Sequence, residues 1–171
     1  CDNAIPTSFT FGTLPGGVDG MYTYQWQESS DSLNWTDIIG ATLTSYQEAS
    51  LTSDRYYRVV VGSTFGCDND TTNSILVNVY DPFVVGSISS NDTICYGEAI
   101  SLINMNVAPS GGDLNYTYQW YRSLDTLSWL PIAGETTPSY QPGLLATTEY
   151  YQLEITSGSG CGIEMTNWVV V

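Results

Sequence analysis

The chain repeats itself with a period of 94 residues, and this constrains its fold more than any other feature. Shifting the sequence by 94 places Cys1 on Cys95, Trp26 on Trp120, Trp35 on Trp129, Tyr46 on Tyr140, Tyr56-Tyr57 on Tyr150-Tyr151 and Cys67 on Cys161. No gap is needed, and 28 of the 77 overlapping positions are identical. Helical and propeller repeats recur every 20 to 50 residues or so. A period this long is a whole domain, so the sequence predicts two domains of one kind in tandem, residues 1–80 and 81–171.

The second copy has a lead-in, Asp81 to Ile94, ahead of its first cysteine, whereas the first copy begins at its cysteine and lacks the matching first strand. The second copy also stops at the match of Val77. The expectation is therefore an internal window of a longer array. The join, Val77-Asn-Val-Tyr-Asp-Pro-Phe-Val84, carries no Gly/Ser tract, and a stiff connection suited to a stalk is expected.

Each copy reads as short strands between turn residues. Tyr22 to Gln27 and Tyr116 to Tyr121 alternate with period two, putting Tyr118 and Trp120 on one face and Thr117 and Gln119 on the other. Tyr56 to Val61 and Tyr150 to Thr156 are the strongest strands. Phe83 to Ile88, Ala99 to Ile103, Ser74 to Tyr80 and Asn167 to Val171 complete the set, with short strands at Tyr46 and Tyr140. The turns Ser29 to Asn34 and Ser123 to Ser128 each hold an Asp able to bond its own backbone two residues on. They are similar to the aspartate-box hairpin of sialidases, but shorter by one residue and without its Gly. The fold class is all-β, two tandem immunoglobulin-like β-sandwiches of about 100 residues or fewer each.

Eighteen acidic residues face three Arg and no Lys or His, for a net charge of -15. That balance excludes nucleic acid, whose phosphates are held by clustered cations, and anionic membrane surfaces. No apolar run is long enough to span a bilayer. The absence of His rules out Ser-His-Asp and Cys-His nucleophilic machinery within the segment. The acidic positions kept between copies are Asp19/Asp113 and Asp31/Asp125, too few to suggest a paired-carboxylate site. No enzyme activity is expected.

Four cysteines occur as two pairs with the same 66-residue separation. Equal spacing argues for one bridge in each copy, Cys1–Cys67 and Cys95–Cys161, although four cysteines allow three connectivities. Such bridges imply an oxidising compartment, and each would contribute on the order of 4 kcal/mol in the chain-entropy model. Without CxxC or His, zinc is a poor alternative. Asp68 and Asp70 offer hard oxygens to calcium, but the second copy reads Gly162-Ile-Glu164 there. No other cofactor is expected. Trp35, Trp129 and Trp168 are candidates for a carbohydrate-binding surface; the first two recur as core residues would.

The string Tyr-Thr-Tyr-Gln-Trp, then Ser-x-Asp-x-x-x-Trp, then Ile with Gly two residues on, then Tyr-Tyr and Gly-Cys, resembles the immunoglobulin-like repeats of very large Bacteroidetes surface proteins. Among them is the mobile adhesin of gliding motility, a type IX secretion substrate. The resemblance covers nearly the whole chain. It implies an extracellular, cell-surface filament or stalk whose partners are neighbouring repeats of the same chain and surface polysaccharide. It also implies O-glycans on Ser or Thr after Asp, a pattern met at Ser32, Thr71, Thr93 and Thr126. Asn-x-Thr sequons stand at Asn34, Asn69, Asn91 and Asn115. A glycan- or calcium-binding module, or a spacer attached to a secreted enzyme, are the alternative readings.

Overall fold

The computed structural model describes residues 5–13, 16, 21–64, 68–89 and 92–171. They form strands and turns with no helix, and none is therefore long and apolar enough to cross a membrane. The chain divides into two compact units at Val79/Tyr80.

In the first unit, β1 is Phe9–Thr10, β2 Tyr22–Ser29, β3 Thr36–Asp37, β4 Ser45–Tyr46, β5 Arg55–Ser63, β6 Asp70–Thr71 and β7 Ile75–Val77. A five-stranded antiparallel sheet runs β3-β2-β5-β6, with β7 also on β5; β1 and β4 make a small second layer. The second unit has β8 Ser87–Ile88, β9 Met105–Val107, β10 Tyr116–Ser123, β11 Leu130–Pro131, β12 Tyr150–Ser157, β13 Gly162–Met165 and β14 Val169–Val170. Its main sheet runs β11-β10-β12-β13, with β14 on β12, and β8-β9 lies in the smaller layer. Each unit is thus an open, sandwich-like all-β domain.

Alternation along the central strands makes the cores. On β12 the odd positions Tyr151, Leu153 and Ile155 are buried, and on β10 Trp120 is completely so. They pack with Ile88, Ile103 and Val169. The first unit repeats this with Phe9, Trp26, Leu51, Tyr57 and Val59. The full β2/β5 and β10/β12 ladders, eight pairs each, align Trp26 with Val59 and Trp120 with Leu153.

The residues that recur between copies also recur in their hydrogen bonds. Trp26 Nε1 donates to Leu43 O and Trp120 Nε1 to Thr137 O, both at 2.9 Å. Gln25 Nε2 donates to the carbonyls of Trp26 and Ile38, and Gln119 Nε2 to those of Trp120 and Ile132. Gly40 and Gly134 close this bend at φ 77° and 84°, a region open to glycine. The Gln-Trp and Ile-x-Gly strings are thereby explained as one backbone-clamping device.

One strand expectation shifts. Ala99 to Ile103 pairs only at Ile103, which bridges Tyr140, and the ladder falls later, at β9. Ile100 and Ile103 are both buried at 4% exposure. Residues three apart point to opposite faces of a regular strand, so burying both breaks it. The buried phenols are satisfied by carboxylates: Tyr57 donates to Glu48 Oε2 at 3.0 Å, and Tyr151 donates to Glu149 Oε2 at 2.9 Å.

Candidate functional site: turns, cysteines and an open groove

The Asp hairpins are built alike in both copies. Asp31 Oδ1 accepts from the amides of Leu33 and Asn34 and from Ser29 Oγ, and Asn34 Nδ2 donates to Oδ2 at 2.7 Å. Asp125 Oδ1 accepts from the amides of Leu127 and Ser128 and from Ser123 Oγ. The Asn34 amide and side chain, then the Leu33 amide and Ser29, hold the Asp31 carboxyl well below its usual range. The amides of Ser128 and Leu127 do the same for Asp125. These carboxylates are spent on turn closure. Of the other kept pair, Asp113 accepts from Ser159 Oγ and the Asn115 amide, and Asp19 lies outside the described residues.

Ser32 and Thr126, the residues following these aspartates, have φ of 59° and 63°. Ser32, Thr71 and Thr93 are exposed and Thr126 is half-buried. Three of the four hydroxyls in the Asp-Ser/Thr pattern are therefore at the surface. Of the Asn sequons, Asn34, Asn69 and Asn115 are exposed, and Asn91 lies outside the described residues.

Trp35 is half-buried, with the Arg58 guanidinium 4.1 Å above its ring and its Nε1 donating to Ser32 O. Trp129 is half-buried too. Trp168 is 47% exposed and meets Tyr150 edge-on at 5.4 Å. These tryptophans do not converge on one platform in the second unit: Trp129 is next to β11, on the far side of the sheet from β14, beside which Trp168 stands.

The cysteine expectation needs correction. Cys95 is an exposed, free thiol, so the Cys95–Cys161 bridge is not formed. Cys95 borders a hollow of about 420 Å³ with Val170 and Val171, and Val170 pairs with Tyr150 at the start of β12. Cys161 follows the other end of that strand, its amide donating to Gly158 O. β12 has eight residues, so at about 3.3 Å each it spans roughly 25 Å. A disulfide requires Cα atoms within about 7 Å. Cys1 and Cys67 lie outside the described residues.

Asp68 and Asp70 are exposed; Asp70 sits on β6 opposite Val61, and its Oδ1 accepts from the Thr71 amide. Among the described residues no three acidic, His or Cys side chains come together to hold a metal.

Sequence reasoning missed an open groove of about 520 Å³ in the first unit, lined by Phe9, Trp26, Tyr57, Val59, Asn73 and Ile75 among others. Its floor is the core itself.

The sequence matches the family described as a domain of unknown function, DUF8696, twice, over residues 1–81 and 84–171. The chain belongs to that family and is a tandem pair of its domains. No curated protein matches it.

Proposed function

We propose that this chain is a structural and interaction repeat of a long bacterial cell-surface adhesin filament, used in gliding motility or surface attachment and exported by type IX secretion. In this reading it lies outside the cell, has no catalytic role, and has neighbouring repeats and surface polysaccharide as partners. One observation carries the proposal: the side chains kept between the copies on the central strands and Asp hairpins are spent on the fold. Trp26/Trp120, Gln25/Gln119, Asp31/Asp125 and Tyr57/Tyr151 all close backbone or core. The net charge of -15 supports a role beside many copies of itself, since like-charged modules stay soluble and apart.

Antibodies to this segment, applied to intact cells of the source organism, test the proposal. Surface labelling that disappears on deletion of the gene, together with lost attachment or gliding, is the expected result. Labelling only after the cells are permeabilised would overturn it. The same purified segment on a glycan array separates a structural repeat from a module with its own sugar ligand.

A further inference from the structure

The two copies carry the same ion pair with its charges exchanged. In the first unit Glu28 on β2 meets Arg55 on β5, with Oε2 3.2 Å from Nη1. In the second unit Arg122 on β10 approaches Glu149, the residue before β12, at 3.8 Å. Shifting by 94 puts Glu28 on Arg122 and Arg55 on Glu149. The acid therefore comes from the earlier strand in one copy and from the later one in the other. These pairs use two of the three cationic side chains in a sequence with 18 acidic ones.

The ladders place both pairs alike. Glu28 is in register with Tyr57 and Arg122 with Tyr151, so each ion pair runs diagonally between neighbouring strands, on the face that buries the two phenols. Long side chains reach one another along such a diagonal. The surroundings follow the polarity. Glu149 Oε2 accepts from Tyr151 while Oε1 faces Arg122. Arg55 holds that place in the first copy, and there Tyr57 donates to Glu48, whose match is Pro142.

The apolar pattern of the central strands does not tell one copy from the other. β2 and β10 share Tyr-Thr-Tyr-Gln-Trp, and both ladders have eight pairs in the same register. A β2–β12 hybrid would set Trp26 against Leu153, and a β10–β5 hybrid Trp120 against Val59, with the core face unchanged. Chain connectivity discriminates little. The connection from Ser63 to Tyr116 is about twice that from Ser29 to Arg55, which disfavours its closure by only about threefold.

We propose that the exchanged charges direct strand pairing: they favour β2 with β5 and β10 with β12, and they reject both hybrids. In the β2–β12 hybrid Glu28 meets Glu149, and in the β10–β5 hybrid Arg122 meets Arg55. Exposed ion pairs stabilise a fold only slightly, and either polarity would do that equally well. Opposite polarity matters where the strands of one copy can pair with those of the other. Tandem domains misassemble in this way while they fold, and like charges brought together act against the wrong partner. The inference rests on the ion pairs and the repeat, and holds whatever the cellular role of the protein.

The test gives both copies one polarity, by Glu28→Arg with Arg55→Glu in the full chain. Thr23→Cys with Thr156→Cys serves as a reporter in this variant and in the chain with its native charges. Positions 23 and 156 become cross-strand partners in the β2–β12 hybrid, whereas in the native ladders Thr23 pairs with Gly62 and Thr156 with Thr117. Refolding from urea with an oxidant present, then digestion and mass spectrometry, counts the 23–156 disulfide. The uniform-polarity chain should form this link about fivefold more often or above, while its first unit melts within about 2 °C of the parent. With native charges, raising the ionic strength from about 0.02 to about 0.5 M during refolding should increase the link several-fold, because salt screens the repulsion. An unchanged yield in the uniform-polarity chain, or a yield with native charges that does not respond to salt, overturns the proposal.

Discussion

At the residue scale, the Asp31 and Asp125 carboxylates serve as hydrogen-bond acceptors for whole turns. Both are held below the ordinary carboxyl range by amide donors, so both favour the folded state once ionised. Their contribution is complete above the unfolded carboxyl pKa of about 3.9 and is lost as pH falls toward the folded value. Carboxyl-carbon NMR titration should therefore find both midpoints below those of freely solvated aspartates; ordinary midpoints would show that the turns are not closed this way. Tyrosines behave in the opposite sense. Burial, then the Glu48 hydrogen bond, pushes Tyr46 up to about 12, so stability tied to its proton persists through neutral pH and is lost in strong alkali. Tyr57 and Tyr151 are raised by the same causes, with Glu149 serving Tyr151. In a 295 nm absorbance titration these three phenols should ionise last. Cys95, free and exposed, should react with a maleimide in native, non-reduced protein. A Cys95 blocked until reductant is added would contradict the geometry described above.

At the scale of elements, the long strands were legible because the signal that defines them is local. Alternation through Tyr-Thr-Tyr-Gln-Trp places β2 and β10, and the Tyr pairs open or nearly open β5 and β12. The Asp turns were legible for the same reason. β6 and β13 were not, because Asp70–Thr71 is two polar residues and the Ile163-Glu164-Met165 alternation is too short to stand out; only pairing with β5 and β12 defines them. The Cys95–Cys161 pairing misled for a different reason. Equal spacing in both copies records the period of the sequence, and any pairing that repeats with that period gives it. The Gln-Trp clamp makes a sharp demand on the element it holds. Gln119→Leu keeps the size of the side chain but leaves the carbonyls of Trp120 and Ile132 without their side-chain donor. Its expected cost is about 1–3 kcal/mol, read from urea denaturation, and a neutral result would demote the shared Gln to a surface residue.

For the whole molecule, two cores that share one design predict two unfolding transitions of unequal stability. Trp120 is completely buried and Trp26 is 4% exposed, while Val169 is covered and Ile75 is not. Burial contributes about 25 cal/mol per Å² of apolar surface, so the second unit, with Ile88 inserted and Val169 covered, should melt higher. Calorimetry of the intact chain should resolve two peaks, or one broad peak with calorimetric enthalpy above the van't Hoff value. Trp→Ala substitutions then assign them, each at an expected cost of about 3–5 kcal/mol. Trp26→Ala should lower the first transition and leave the second in place, and Trp120→Ala should do the reverse. If either substitution shifts a single transition of the entire chain, the two units fold as one cooperative body. The exposure of Ile75 would then weaken both units together rather than the first alone.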